Sequence, residues 1–227
     1  MRSMEALRSL SDPVLTAIGF GFVFALIGTS EVAKRLLGLG EEGSRKLVHV
    51  GVGHWILLAL FIDSMAWAVI APVVFIGLNY VSHRKGTFGA MERSGGDTLG
   101  TVYYSVALTV IVLWLWRAGE PRWVGVVGIG VMAWGDGLAA TVGQRWGRRH
   151  YRGPGGPKTV EGSATMFVVS LVVIGLGQHF GPDELRPLVA VLVAAMATTM
   201  EALSPRGTDN LTVPLGTAGL LTLLTLL

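Results

Sequence analysis

The chain has 227 residues, 51% of them hydrophobic and only 15% charged, with a net charge of +3 and a mean hydropathy of +0.58. Soluble domains carry about 25% charged residues, so this composition excludes an ordinary soluble domain. It points to an all-α, polytopic helical membrane protein forming a single domain over residues 1–227, with no nucleic-acid partner. The absence of cysteine excludes disulfides, thiolate metal sites and cysteine nucleophiles.

Taken in order, the first residues, MRSMEALRSLSDP, contain acids and lead into a run too long for a signal-peptide core. They are read as a mature tail before the first span. Spanning helices are predicted over 13–37, 47–62, 64–82, 98–116, 123–144, 162–180, 185–203 and 211–227. A bilayer takes about 20 apolar residues to cross, so the second and eighth are short and seven is the alternative count. The need to satisfy every backbone group inside lipid selects helices over strands. Thirty-two glycines fit close helix packing.

Lys and Arg set the orientation. The connections after the odd-numbered spans carry 13 of the 18 basic residues, leaving Arg2, Arg8, Arg117, Arg122 and Arg186 for the other side. The protein is therefore expected in the cell membrane with the basic side cytoplasmic and both termini outside. The unusual polar clusters fall on that same side: 44–49, 79–97, 136–161 and 201–210. A transporter places its functional charges near the midplane. A gathering at one face suits an enzyme or receptor for a polar cytosolic ligand.

Asp136 stands between Gly135 and Gly137 inside an apolar run. It reads as a Mg²⁺ ligand or catalytic base, against a packing or capping acid at the membrane boundary; acids at membrane depth are functional by default. Arg145, Arg148, Arg149 and Arg152 follow, as phosphate ligands or as positive-inside signal. Gly153 to Pro157 forms a turn poor in side chains, whose N–H groups can face anionic oxygens. Lys158 and Thr159 suit phosphate, and Glu161 suits a metal. A P-loop is excluded, because Arg152 and Pro157 occupy its glycine positions and a spanning helix, not a strand, precedes it.

Glu201 is a second candidate acid, followed by Asp209 and Asn210 at the start of the last span. Capping explains Asp209 or Asn210 but not Glu201. Arg45, Lys46 and His49 share a helical stretch of the second span. They form either an anion clamp with a polarising His or snorkelling cations with a buried, hydrogen-bonded imidazole. Asp97 opens the fourth span within Ser94-Gly-Gly-Asp97 as a cap or a further site acid.

Together, Arg45-Lys46-x-x-His49, Gly135-Asp136-Gly137-x-Ala139-x-x-x-Gly143-x-x-x-Gly147, Lys158-Thr159-x-Glu161-Gly162, Glu201-Ala-Leu and Asp209-Asn210-Leu-Thr-Val-Pro214 resemble the CTP-dependent lipid-alcohol kinases. That family includes dolichol, phytol and farnesol kinases and the yeast-type CTP-dependent diacylglycerol kinase. The resemblance runs from Glu31 to the C-terminus with its motifs in order. The middle pair is similar to a segment of the phosphatidate cytidylyltransferases, which carry Lys where this chain has Pro157. The early and late motifs favour the kinases.

The resemblance implies γ-phosphate transfer from CTP to the hydroxyl of a membrane-embedded prenol, with Mg²⁺ as cofactor. It implies Asp136, Glu161 and Glu201 for the metal. Arg45, Lys46, Arg145, Lys158, Thr159 and Asn210 fall to the nucleotide. His49, Asp97 or Asp209 would take or orient the alcohol proton beside Asp136. The alternatives are formation of a CDP-lipid, diacylglycerol as acceptor, and a non-enzymatic transporter. Oligomeric state is not legible.

Overall fold

A computed structural model describes residues 2–38, 40–87, 98–117, 121–181 and 186–225. The chain is an all-α polytopic membrane protein, and a single short hairpin supplies the only strands among the described residues. It divides into two compact units, Met1–Glu120 and Pro121–Leu227.

The first unit starts with the short α1 (Arg2–Arg8) and the long α2 (Asp12–Leu36). Proline in the first turn of α2 has a preset φ and no N–H to leave unsatisfied. The Asp12 carboxylate accepts from the N–H groups of Asp63 (3.1 Å) and Ser64 (2.9 Å), tying α2 to the loop before α5 (Met65–Lys85). Phe75 of α5 stacks on Phe20 at 5.7 Å and lies 5.5 Å from Phe24, both on α2.

The single helix predicted over 47–62 is instead two pieces, α3 (Glu41–Gly53) and α4 (Trp55–Ala59), broken at His54. Glu41 and Glu42 favour the positive end of the helix dipole, so α3 begins six residues before the hydropathy rises. At 13 and 5 residues, neither piece alone has the length of a spanning helix. α6 (Gly100–Leu115) completes the unit against α5. Asn79 of α5 donates through Nδ2 to the Thr101 carbonyl and to Ser105 Oγ of α6, both at 3.0 Å.

The second unit is a bundle. Its first spanning helix, Arg122–Trp146, is α7 (Arg122–Gly130), a π-helical turn over Val131–Asp136, and α8 (Gly137–Trp146). β1 (His150–Gly153) and β2 (Gly156–Thr159) form an antiparallel hairpin in which Tyr151 opposes Lys158 and Arg152 opposes Pro157. Gly156 sits at φ +123, a conformation that suits glycine. The turn expected over Gly153 to Pro157 is the tip of this hairpin, and the strands on either side of it were not anticipated. α9 (Val160–Phe180), α10 (Pro187–Leu203) and α11 (Asp209–Thr225) follow.

α9 lies between α8 and α10, and α11 packs on α7 and α10. Four helices are long and apolar enough to cross a bilayer among the described residues: α2, α5, the helix through the π turn, and α9. α6 and α10 are apolar but shorter.

Candidate active site

In the second unit the polar residues gather at one end of the bundle, where α8 stops, the hairpin turns, α9 starts, α10 stops and α11 starts. Glycine makes this end compact. A Cβ on Gly143 of α8 would lie 2.7 Å from Thr159 Oγ1 and 3.6 Å from the Gly162 Cα of α9. No side chain larger than hydrogen fits that crossing, the arrangement small residues permit between membrane helices. Thr159 caps α9, its hydroxyl accepting from the Gly162 N–H at 3.1 Å.

The hairpin folds over the end of α10. A Cβ on Gly153 would lie 2.6 Å from the Ala202 carbonyl oxygen, and one on Gly155 2.7 Å from that of Ser204. The inner strand face carries Tyr151 and Lys158. Tyr151 Oη meets Ser163 Oγ at 2.6 Å. Lys158 Nζ forms an ion pair with the Glu201 carboxylate and also donates to the Glu201 backbone carbonyl. The two side chains are only 16% and 10% exposed. Each would be costly alone in an apolar setting, and each neutralises the other. Two of the ammonium's three donors are used, which leaves one for a ligand.

Asp136 ends the π turn and is 9% exposed. π turns appear often at functional sites. Gly135 faces Met166 and Ser170 of α9, whereas Gly143 faces Gly162. At 1.5 Å per residue, Asp136 therefore lies roughly 10 Å deeper in the bundle than Glu161. Glu161 turns the other way, accepting from the Arg149 N–H at 3.3 Å.

On its other side the π turn packs against α11. A Cβ on Gly128 would meet the Pro214 carbonyl oxygen at 2.6 Å. Eight residues further on, about 12 Å along the axis, Asp136 reaches the level of the first turn of α11. Asp209 and the buried Asn210 stand there. Asp209 Oδ1 accepts from the Asn210 N–H at 2.9 Å. Pro214 lacks the N–H that a helix would direct at the Asn210 carbonyl. Arg145 is exposed and lies over the Trp146 ring at 5.2 Å.

Among the described residues no three His, Asp or Glu side chains converge as a metal cage. Mg²⁺ does not require one, because it commonly takes one or two carboxylates together with substrate phosphate oxygens and water. Asp136, buried and level with Asn210, fits that reduced role.

In the first unit, Lys46 and His49 are buried on α3, while Arg45 pairs with Glu42 one turn away. The His49 carbonyl accepts from Tyr104 Oη at 3.0 Å, and the two rings lie 5.2 Å apart. Asp97 lies outside the described residues. Tyr151, bonded to Ser163 at this end of the second unit, had no role assigned to it from the sequence.

No family profile matches the chain, and no solved structure matches it. Among curated proteins, phytol kinase of Synechocystis is 37% identical over 220 residues, covering 95% of this chain and 94% of that protein. A probable chloroplastic phytol kinase of rice is 30% identical, covering 93% of this chain and 73% of its own length. The wheat counterpart is 29% identical over 90% of this chain. With its helices, its buried Lys158–Glu201 pair and this end-to-end similarity, the chain belongs to the phytol kinase family of membrane-embedded kinases.

Proposed function

We propose that this protein transfers the terminal phosphate of CTP to the hydroxyl of a prenol-type alcohol of the phytol kind, held in the bilayer. The observation that carries the reading is Lys158, pinned on Glu201 beneath the hairpin with one N–H to spare. A fixed cation at the end of a membrane bundle suits a phosphate arriving from water, while the alcohol never has to leave the lipid. The choice of CTP is supported by the Gly135-Asp136-Gly137 and Lys158-Thr159-x-Glu161-Gly162 motifs. The phytol kinase of Synechocystis supports the acceptor class.

In this mechanism the alcohol oxygen attacks the γ-phosphorus, the bond from that phosphorus to the β,γ-bridging oxygen breaks, CDP leaves, and the alcohol proton passes to a base. Such transfers depend on positioning and charge neutralisation more than on covalent catalysis. Lys158 holds a phosphate oxygen, and Glu201 keeps its ammonium aimed. Thr159 fixes the start of α9 beside it. Asp136 is the carboxylate that would hold Mg²⁺, which when bound offsets charge on the phosphates. Asp209, at the start of α11 in the same unit, is a candidate to accept or orient the hydroxyl proton; His49 and Asp97 are candidates on the sequence motifs alone. The distribution of Lys and Arg supports a site on the cytoplasmic face.

Purified protein assayed with Mg²⁺ against CTP, ATP, GTP and UTP, each with phytol, a longer polyprenol and diacylglycerol, tests this reading. CTP with phytol should give the fastest lipid phosphorylation. Faster turnover with ATP would remove the CTP assignment. Turnover of diacylglycerol alone would remove the prenol.

A further inference from the structure

At its tip the hairpin has two faces, and Tyr151 and Lys158 of the inner one serve the proposed site. Tyr151 and Lys158 oppose each other and point into the bundle, toward Ser163 and Glu201. Arg152 and Pro157 oppose each other on the outer face, and both are exposed. His150 is exposed as well, and so is Arg148, two residues before β1. Neither Arg148 nor Arg152 has an acidic side chain within ion-pair distance among the described residues, whereas Arg35, Arg45 and Lys158 do.

The tethers of the hairpin fix its height. It leaves one spanning helix at Trp146 and enters the next at Val160. Trp146 is 58% exposed and Val160 49%. An exposed Trp at the end of a spanning helix belongs at the level of the lipid headgroups. Four-residue strands reach at most about 13 Å, and Arg148, two residues past Trp146, stays within about 7 Å of it, inside the screening length of the headgroup charges, about 8 Å at physiological salt.

We propose that the outer face of the hairpin, through Arg148 and Arg152, docks on anionic phospholipid headgroups of the surrounding bilayer. Charge complementarity identifies the occupant, and the short tethers keep it within reach. A nucleotide at the site fits this face less well, because Lys158 and Glu201 lie on the opposite side of the strands. Lipid docking would hold the hairpin flat over the ends of α9 and α10.

The test is phospholipid retention by the full-length protein, extracted in mild detergent from membranes made of equal parts phosphatidylcholine and phosphatidylglycerol. The wild type should retain phosphatidylglycerol several-fold over phosphatidylcholine. The double variant R148Q/R152Q should fall to the composition of the mixture, and R148K/R152K should keep the enrichment. R84Q/K85Q, which removes two exposed charges at the end of α5, should keep it too. An unchanged ratio in R148Q/R152Q overturns the proposal, as does an equal loss in R84Q/K85Q. A raised KM for nucleotide with lipid retention intact also overturns it, by assigning these guanidinium groups to the nucleotide. Helical circular dichroism identifies any variant that has lost its fold, and the Lys pair then carries the test.

Discussion

Lys158 and Glu201 lie 43 residues apart and meet beneath the hairpin. Removing one partner strands the other in a poorly solvated place, a change that costs about 3 kcal/mol or more for buried pairs. K158M should therefore lower the thermal midpoint in detergent and abolish lipid phosphorylation. K158M/E201Q should recover much of the midpoint but none of the activity. Equal midpoints for K158M and wild type would contradict the buried-pair description. D136N should insert and fold while losing activity on the order of 100-fold, the scale at which one charge-stabilising group is removed from an active site. Both residues of the Lys158–Glu201 pair stood out in the sequence, Lys158 after a basic Gly/Pro-rich turn and Glu201 as a lone acid in an apolar run. Their partnership did not, since nothing local in either stretch names the other.

At the scale of elements, the crossing of α8 and α9 is set by Gly143 and Gly162. G143A would place a methyl 2.7 Å from Thr159 Oγ1, and G162A would place one 3.0 Å from the Ala139 carbonyl. Each should destabilise the fold by about 1–3 kcal/mol, as overpacking does, and reduce activity through Thr159 and Lys158. Gly175, on the same helix α9, has nothing within 4 Å of an added Cβ. G175A should be neutral or slightly stabilising in a thermal-shift assay. Loss of stability in G175A equal to that in G162A would show that helix propensity, not the crossing, dominates.

The long helices were readable because twenty apolar residues in lipid have few other options. Three local features were not. The π turn leaves the hydropathy unchanged. The hairpin strands, His150–Gly153 and Gly156–Thr159, are short, polar and rich in Gly and Pro, so they lack the alternation that marks a strand. The break at His54 falls inside a run whose hydropathy continues across it.

At the scale of the whole molecule, the clustering of basic residues predicts that the hairpin faces the cytoplasm. The chain has no cysteine, so R149C supplies a unique thiol. In intact cells it should resist impermeant thiol reagents and react after permeabilisation. Labelling in intact cells would reverse the orientation.

Phosphoryl transfer must be told from nucleotidyl transfer, because Lys158-Thr159-x-Glu161-Gly162 resembles a segment of the cytidylyltransferases. The direct measurement is incubation of the purified protein with phytol and CTP labelled at either the α or the γ phosphorus, followed by extraction of the lipid. The account predicts that label from the γ position enters the lipid and label from the α position stays in water as CDP. Label from the α position in the lipid would contradict it.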